Sequence, residues 1–260
     1  MTTVLTSATV LTSTLHSERI KFTSIRSPLW TALAAAVLSL AVAVLQGATA
    51  YGAAGIRPQQ AAMGVAVFAV PLLMVVSALT VTGEYRSGTI RSTFAATPQR
   101  AVVIAAKAIV AAVFSAVITA ATTVACIAVA RVAADPLVGA GLSLALPATW
   151  RLVVALAVFA AVAAVLGVAV GVLLRHAAGA VAVLLLWPLV IEPILGNLPN
   201  LGPRVGPFLP FLNAFVFTDV QWLYPTYPMP WGPFASLIYV AVVVGVVLAA
   251  ATAAVHRRDA

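Results

Sequence analysis

The chain has 260 residues, of which 63% are apolar and only 8% are charged, and its mean hydropathy is +1.13. About a quarter of the residues of a soluble globular domain are charged, so this composition excludes one and predicts a membrane protein. Transmembrane barrels alternate apolar and polar residues over segments of about ten residues, and no stretch here alternates, so the predicted class is all-α.

The formal net charge of +8 does not indicate a nucleic-acid-binding protein. Lys and Arg collect in the cytoplasmic loops of inner-membrane proteins, and the chain has no basic cluster interleaved with aromatic residues. Cys126 is the single cysteine and lies in an apolar run, and the three histidines are isolated in sequence. We therefore expect no disulfide, no metal site and no catalytic residues in this chain.

The first predicted element is an amphipathic interfacial helix at about residues 14–27, in the stretch LHSERIKFTSIR. One face carries apolar side chains, and the other carries charges that we expect to reach water or lipid headgroups. The apolar face consists of Leu15, Phe22 and Ile25. The charged face consists of Glu18, Arg19, Lys21 and Arg26.

Six membrane spans follow. Ser27-Pro28 has the pattern of a helix start and opens the first span. Ala48-Thr49-Ala50 after an apolar run is similar to a signal-peptide cleavage site, but the run is too long and the polar leader too extended, so no cleavage is expected. The spans are predicted at about residues 28–50, 60–82, 107–130, 151–174, 178–198 and 232–255.

The basic residues predict the orientation of the spans, because cytoplasmic loops are enriched in Lys and Arg. With both termini inside, ten basic residues are cytoplasmic: Arg19, Lys21, Arg26, Arg86, Arg91, Arg100, Lys107, Arg175, Arg257 and Arg258. Four are outside: Arg57, Arg131, Arg151 and Arg204. The predicted location is the inner membrane of a bacterial cell, with both termini in the cytoplasm.

The loop at residues 83–100, GEYRSGTIRSTFAATPQR, is the most polar part of the chain between two spans. Thr89 is placed to cap a short helix, and Pro98 prevents its continuation beyond Thr97. Ile90 and Phe94 are four residues apart and therefore share one face. The pattern predicts a helix with an apolar pair that docks on a partner; a solvated basic loop explains the arginines equally well but not the apolar pair.

The segment at about residues 196–231 is apolar and aromatic but rich in proline, which prevents a continuous span. It predicts short external helices or a re-entrant hairpin between spans five and six, held by an interfacial belt of Trp and Tyr. Glu192, just before it, has two interpretations: a gate or substrate contact, or a carboxylate near the interface that is exposed to water.

Two further patterns lie inside the spans. Ser115, Thr119, Thr122 and Cys126 form one stripe of span three, which fits either a mildly polar transport path or interhelical packing. Gly167 and Gly171 in span four allow close approach of a helix from the same chain or from a second subunit.

The 83–100 loop followed by Lys107 resembles the first cytoplasmic loop of type-2 ATP-binding-cassette (ABC) exporter permeases. SERIKFTSIRSPLW is similar to the N-terminal elbow helix of that family. WPLVIEPILGNLP and the later FLPFLNAF resemble its fifth span and the external element that follows. Together these motifs cover most of the chain, in the order expected for that family.

The resemblance implies a permease subunit that works as a homo- or heterodimer in the lipid bilayer and is driven by a separate cytoplasmic ABC ATPase. This chain has no phosphate-binding loop, so ATP and Mg²⁺ would bind only in the partner. The resemblance implies that the ATPase contacts are Glu84, Tyr85, Arg86, Thr89, Ile90, Arg91 and Phe94. The elbow residues Glu18, Lys21, Phe22 and Arg26 would lie beside them, and Glu84 would pair either with the ATPase or with the elbow.

Three other classes compete with an ABC exporter. An ion-coupled secondary transporter needs titratable groups within its spans, and the interiors of the predicted spans lack Asp, Glu, Lys, Arg and His. An intramembrane metalloprotease needs clustered ligands, which the sequence lacks. A membrane scaffold or immunity protein without transport is opposed only by the resemblance. The uncharged spans favour hydrophobic or amphipathic cargo, such as a drug, a lipid or a peptide.

Overall fold

The computed structural model describes residues 7–24, 26–51, 55–221 and 224–257. The chain is 84% helical, and its described part contains no strands, as the sequence predicted for an all-α protein. The helices are α1 (Ser7–Ser24), α2 (Arg26–Ala48), α3 (Pro58–Ala61), α4 (Val70–Ser87), α5 (Thr89–Ala96), α6 (Arg100–Ala133), α7 (Pro147–Leu174), α8 (Ala177–Leu186), α9 (Glu192–Asn197), α10 (Gly202–Val205), α11 (Pro210–Thr218) and α12 (Pro233–Arg257). Single π-helical turns at Val65–Ala69 and Trp187–Ile191 precede α4 and α9.

Within the described residues, six helical runs are long and apolar enough to cross a membrane, which confirms the predicted number. They are Arg26–Ala48, Pro58–Ser87, Arg100–Ala133, Pro147–Leu174, Ala177–Asn197 and Pro233–Arg257. The fifth run continues past Glu192 as expected, through a wide turn that contains Pro188. The chain is therefore a multi-pass membrane protein by the length and composition of its helices.

The helix ends gather at two ends of the bundle. At the end that we call the basic end, α1 and α5 lie with the start of α6 and the ends of α4, α7 and α12. There the Arg100 side chain donates to the carbonyl of Val255 over 2.7 Å. At the opposite, proline-rich end, α2 approaches the end of α6, and α9, α10 and α11 lie between the fifth and sixth spans.

Small residues set the spacing between the spans. A Cβ added at Gly167 in α7 would collide with the carbonyl oxygen of Met74, and one at Gly171 would lie 2.8 Å from that of Ala78. The close neighbour of this glycine pair is therefore α4 of the same chain. Gly47 and Gly64 bring α2 equally close to its neighbours, because a Cβ there would meet the carbonyl of Ala130 or Ser39.

The segment after span five forms short helices whose aromatic side chains pack inside the protein. Phe211 and Phe215 of α11 are buried and pack edge-on against Phe159 of α7. Tyr224 is also buried, with its hydroxyl donating to the carbonyl of Pro188. The hydroxyl of Tyr224 therefore finds its partner inside the protein, and the interfacial belt of Trp and Tyr stays a prediction. Trp222 lies outside the described residues.

Candidate functional site at the basic end

The polar 83–100 loop is mostly helical. α4 continues to Ser87, so Glu84, Tyr85 and Arg86 occupy its last turn rather than a loop. Gly88 then has φ of +73°, a conformation that suits glycine and reverses the chain into α5. Thr89 was predicted to cap α5 but is its first helical residue, with Gly88 at the cap position. The helix ends at Ala96, ahead of Pro98, as predicted.

The apolar pair of α5 faces the protein's own interior. Ile90 and Phe94 are only 4% and 8% exposed and pack with Phe22 of α1 and Val103 of α6. The adjoining helices therefore cover this pair within the chain, and its contact with a partner ATPase stays a prediction. The outward-facing residues of the α4–α5 corner are polar: Arg86, Ser87, Thr89, Arg91 and Ser92.

Two lysines and two glutamates join three helices beneath α5. Lys107 Nζ of α6 lies 2.7 Å from Glu18 Oε2 of α1 and 2.7 Å from Glu84 Oε1 of α4. Lys21 Nζ of α1 lies 2.8 Å from Glu18 Oε1 and 3.2 Å from Glu84 Oε1. It also donates to Thr93 Oγ1 of α5 over 3.2 Å. This four-residue charge cluster ties the N-terminal helix to spans two and three and to α5.

Because this cluster is buried, its positive and negative charges must compensate each other. The side chains of Lys107 and Glu18 are 4% and 6% exposed, and that of Glu84 is 13% exposed. Charges removed from water are tolerated when they are paired and hydrogen-bonded, and removal of one partner leaves an uncompensated charge. Two carboxylates opposite two ammonium groups balance the charge of the cluster.

Lys21 is the accessible member of the cluster. Its partial burial would lower its pKa, but its hydrogen bonds and charge interactions with Glu18 and Glu84 outweigh that effect and raise the pKa above the ordinary 10.5. Lys21 therefore stays protonated throughout the physiological range and keeps its three contacts.

The orientation of α1 differs from the prediction in one respect. Glu18 was expected to reach water or headgroups, but it is buried because Lys107 supplies an internal partner. Phe22 stacks on Phe114 of α6 with ring centroids 4.8 Å apart. Arg26 is not part of α1 but the first residue of α2, and it is exposed. Ile25 lies outside the described residues.

Two arginines extend these connections to the remaining helices of the basic end. The guanidinium carbon of Arg100 lies 5.3 Å from the centroid of the Phe94 ring, while its Nη1 donates to α12. The guanidinium carbon of Arg175, just after α7, lies 4.9 Å from the ring centroid of Tyr85. Contacts of α5 and of the last turn of α4 thus reach the ends of the fourth and sixth spans.

The hydroxyl stripe of span three lies inside the bundle. Ser115, Thr119, Thr122 and Cys126 are all buried. Thr122 donates to the carbonyl of Ile118, the intrahelical bond typical of a packed hydroxyl. Burial favours the packing interpretation, and a role in a transport path stays a prediction.

Glu192 is fully buried at the proline-rich end, so the interpretation as a water-exposed carboxylate is wrong. Its oxygens accept the backbone N–H groups of Phe211 and Leu212 at 3.0 and 3.2 Å, in the first turn of α11. They also accept Trp187 Nε1 at 2.7 Å and the Tyr224 hydroxyl at 3.4 Å. Free N–H groups at a helix start attract a carboxylate, so Glu192 caps α11 from another helix.

Sequence reasoning missed the central role of Lys107. Lys107 was predicted as the first residue of span three and as one of the cytoplasmic basic residues. Its contact with Glu18 was not predicted, because 89 residues separate the two in sequence. Lys107 and Glu192 are nevertheless both buried in helices that are long and apolar enough to be candidate spans. A lysine seven residues inside an apolar helix was the available signal, because such a charge needs a buried partner.

No protein-family model matches the chain, and no curated protein matches it. The described residues contain no group of three or more His, Cys, Asp or Glu side chains that could hold a metal ion.

Proposed function

We propose that the chain is the permease subunit of an ATP-driven ABC exporter, working as a dimer and coupled to a separate cytoplasmic ATPase. The observation that carries this proposal is the buried charge cluster, which joins α1, α4 and α6 directly beneath α5. A partner that pushes on α5 would act on three helices together, because Lys21, Lys107 and Glu84 connect them.

The arrangement of the elements supports the same proposal. A short helix lies between spans two and three, an N-terminal helix packs beside it, and short helices separate spans five and six. This is the order that the resemblance to type-2 ABC exporter permeases implies. In this account α1 is the elbow helix, α10 and α11 are external, and the basic end faces the bacterial cytoplasm, in line with the enrichment of Lys and Arg there.

The proposed mechanism needs no bond-making chemistry from this chain. ATP-driven closure of the partner ATPases would displace α5 and α1, and packed helices would pass the displacement to the spans as a rigid-body change between inward- and outward-open states. Close packing between α4 and α7 at Gly167 and Gly171 supports rigid-body transmission.

The buried apolar pair changes where the ATPase would bind. Ile90 and Phe94 hold α5 on the bundle, and Glu84 is held by Lys21 and Lys107. The partner would therefore contact the outward corner formed by Arg86, Thr89 and Arg91, with Tyr85 at its edge. Acidic side chains on the ATPase would complement these arginines.

Co-purification with candidate cytoplasmic ATPases tests the proposal. The double change Arg86→Glu/Arg91→Glu reverses two charges on the exposed corner, and we expect it to reduce ATPase capture at least tenfold while the thermal unfolding midpoint changes little. Arg151→Glu, an exposed arginine at the proline-rich end, is the matched control and should leave capture unchanged. Equal capture of both variants, or ATP-independent transport by the purified chain in liposomes, would overturn the proposal.

Hydrophobic or amphipathic cargo is supported by a cavity of about 240 Å³ between spans four, five and six. Its walls are almost entirely apolar and include Phe159, Val162, Trp187, Phe211 and Val244.

Among the competing classes, a secondary transporter would have to use a buried titratable group. Glu192 is already occupied as the cap of α11, and Lys107 as an ion-pair partner, so neither favours that class.

A further inference from the structure

Another cavity, of about 450 Å³, lies between α1 and α6. Most of its wall is apolar and consists of Leu15 and Phe22 from α1 with Ile109, Val113 and Phe114 from α6. Ile109 and Val113 are 44% and 60% exposed, so the cavity is a groove that opens to the surroundings of the bundle rather than an enclosed space. An apolar groove on a candidate membrane span suits a hydrocarbon chain.

The charged lining of this groove is basic. Arg19 and His16 are three residues apart on α1, so they share the face that lines the groove. Both side chains are exposed, and neither forms a hydrogen bond or an ion pair within the described part of the chain. The described residues of the lining include no Asp or Glu. The groove thus combines an apolar wall with an exposed guanidinium group.

The acidic residue next to Arg19 in sequence does not neutralise it. Glu18 is buried, pairs with Lys107 and Lys21, and is not part of the groove lining. The other helix of the groove, α6, has no Asp or Glu along its length. The positive charge of Arg19 is therefore available to an anion, whereas the charges of the buried cluster compensate each other.

The groove lies near the edge of the hydrocarbon core of a membrane. The 34 residues of α6 span about 51 Å, against a core of about 30 Å, so with the excess divided equally roughly seven residues extend beyond the core at each end. The core then begins close to Lys107, and Ile109 and Val113 lie in its first two turns. A long basic side chain keeps its stem on apolar surface and extends its charge to the interface. Arg19 can therefore reach the level of the lipid phosphates.

We propose that this groove binds a phospholipid with a net negative headgroup, with Arg19 on its phosphate and an acyl chain along Ile109 and Val113. A guanidinium group matches two phosphate oxygens with parallel N–H donors, and the imidazole of His16 offers a further N–H donor. Basic pockets between membrane helices recognise anionic headgroups in this way. The site rests on the membrane location of the chain and does not require the proposed ATPase partner.

The test measures lipid binding to the purified chain in detergent by native mass spectrometry. Lysophosphatidylglycerol carries an uncompensated phosphate, whereas lysophosphatidylcholine with the same acyl chain carries its own cation. We expect the first lipid to bind about fivefold tighter, because that is the contribution of one basic side chain to the attraction of anionic lipid. Equal affinity for the two lipids would overturn the proposal.

One pair of variants tests the charge. Arg19→Gln should fold, because Arg19 is exposed and Gln is a good helix former, and it should lose the preference for the anionic lipid. Arg26→Gln is the matched control, since Arg26 is an exposed arginine of the same end that does not line the groove, and it should keep the preference. Retention of the preference by Arg19→Gln would contradict the assignment. Equal loss in both variants would also contradict it, because that result indicates a general attraction of the basic end for anions.

A second pair of variants tests the acyl chain. Val113→Trp adds bulk inside the groove, and we expect it to weaken the binding of both lipids about fivefold or more, because the chain loses its contacts with α6. Val117→Trp is the control one turn further along α6, where the valine is 62% exposed but lies outside the groove lining. It should leave both affinities unchanged. Unchanged affinities in Val113→Trp, or an equal loss in the two variants, would exclude this groove as the site of the chain.

Discussion

Both ends of the bundle bury carboxylates, but they stabilise them in different ways. At the basic end, Glu18 and Glu84 face the ammonium groups of Lys21 and Lys107. At the proline-rich end, Glu192 is surrounded by neutral N–H and O–H donors from Trp187, α11 and Tyr224. The first arrangement balances charge with charge, and the second balances charge with dipoles.

The difference separates two kinds of connection. Lysine side chains are long and rotatable, so the charge cluster links helices that are distant in sequence while allowing the ammonium groups to exchange partners. Backbone N–H groups are fixed to α11, so Glu192 holds that helix in one orientation. The basic end therefore suits the transmission of movement, and the proline-rich end suits a fixed cap.

Removal of the shared cation should have the largest effect. Lys107→Met keeps the length of the side chain but leaves Glu18 and Glu84 with one accessible lysine, so we expect a loss of about 3–5 kcal/mol in the free energy of unfolding. The measurement is unfolding by sodium dodecyl sulfate in mixed micelles. Lys21→Met is the control and should cost much less, because that side chain is 41% exposed. If the two variants are equally stable, Lys107 is not the centre of the cluster.

Neutralising the carboxylate at the other end should cost less. Glu192→Gln keeps one acceptor oxygen for the N–H groups of α11 but turns an amide NH₂ towards donors, so we expect a loss of roughly 1–3 kcal/mol. Hydrogen exchange should speed up at the amides of Phe211 and Leu212. Trp187→Phe, which removes a single donor, should leave those amides protected. Unchanged exchange in Glu192→Gln would argue against the cap.

The smallest expected effect is the pH dependence of the accessible lysine. Its partners raise the pKa of Lys21 above 10.5 in the folded chain, so the folded state holds this proton more tightly than the unfolded state. Its contribution to stability is complete below about pH 10.5 and is lost as the pH rises through the raised pKa. Lys21→Arg, which stays charged, should lose less stability than the unchanged chain as the pH rises above about 10.5; parallel curves for the two proteins would exclude this contribution.

Local patterns in the sequence predicted much of the fold. Apolar runs of about 20 residues are independent of tertiary contacts, so the six spans followed from composition alone. The end of α5 before Pro98 and the continuation of span five past Glu192 are also local features. The glycine pair in span four predicted close packing, but only the structure identifies α4 as its neighbour.

The candidate site required information that a single sequence does not contain. An apolar pair on a short helix fits an interior surface and a docking surface equally well, and the contacts of Phe22 and Val103 decide for the interior. Glu18 follows the helical period of an exposed face, yet a lysine 89 residues away makes its burial favourable. The two interpretations of Glu192 did not include a cap, because the N–H groups that it accepts lie about 20 residues further along the chain, in α11.

One buried ion pair, between Glu18 and Lys107, joins the N-terminal helix to span three. A double-mutant cycle with Glu18→Gln and Lys107→Met measures that link directly through the free energies of unfolding in mixed micelles. Because the two side chains are 2.7 Å apart and almost fully buried, we expect the double variant to be less destabilised than the sum of the single variants, by about 1–3 kcal/mol. Single effects that add to within about 0.5 kcal/mol would contradict it.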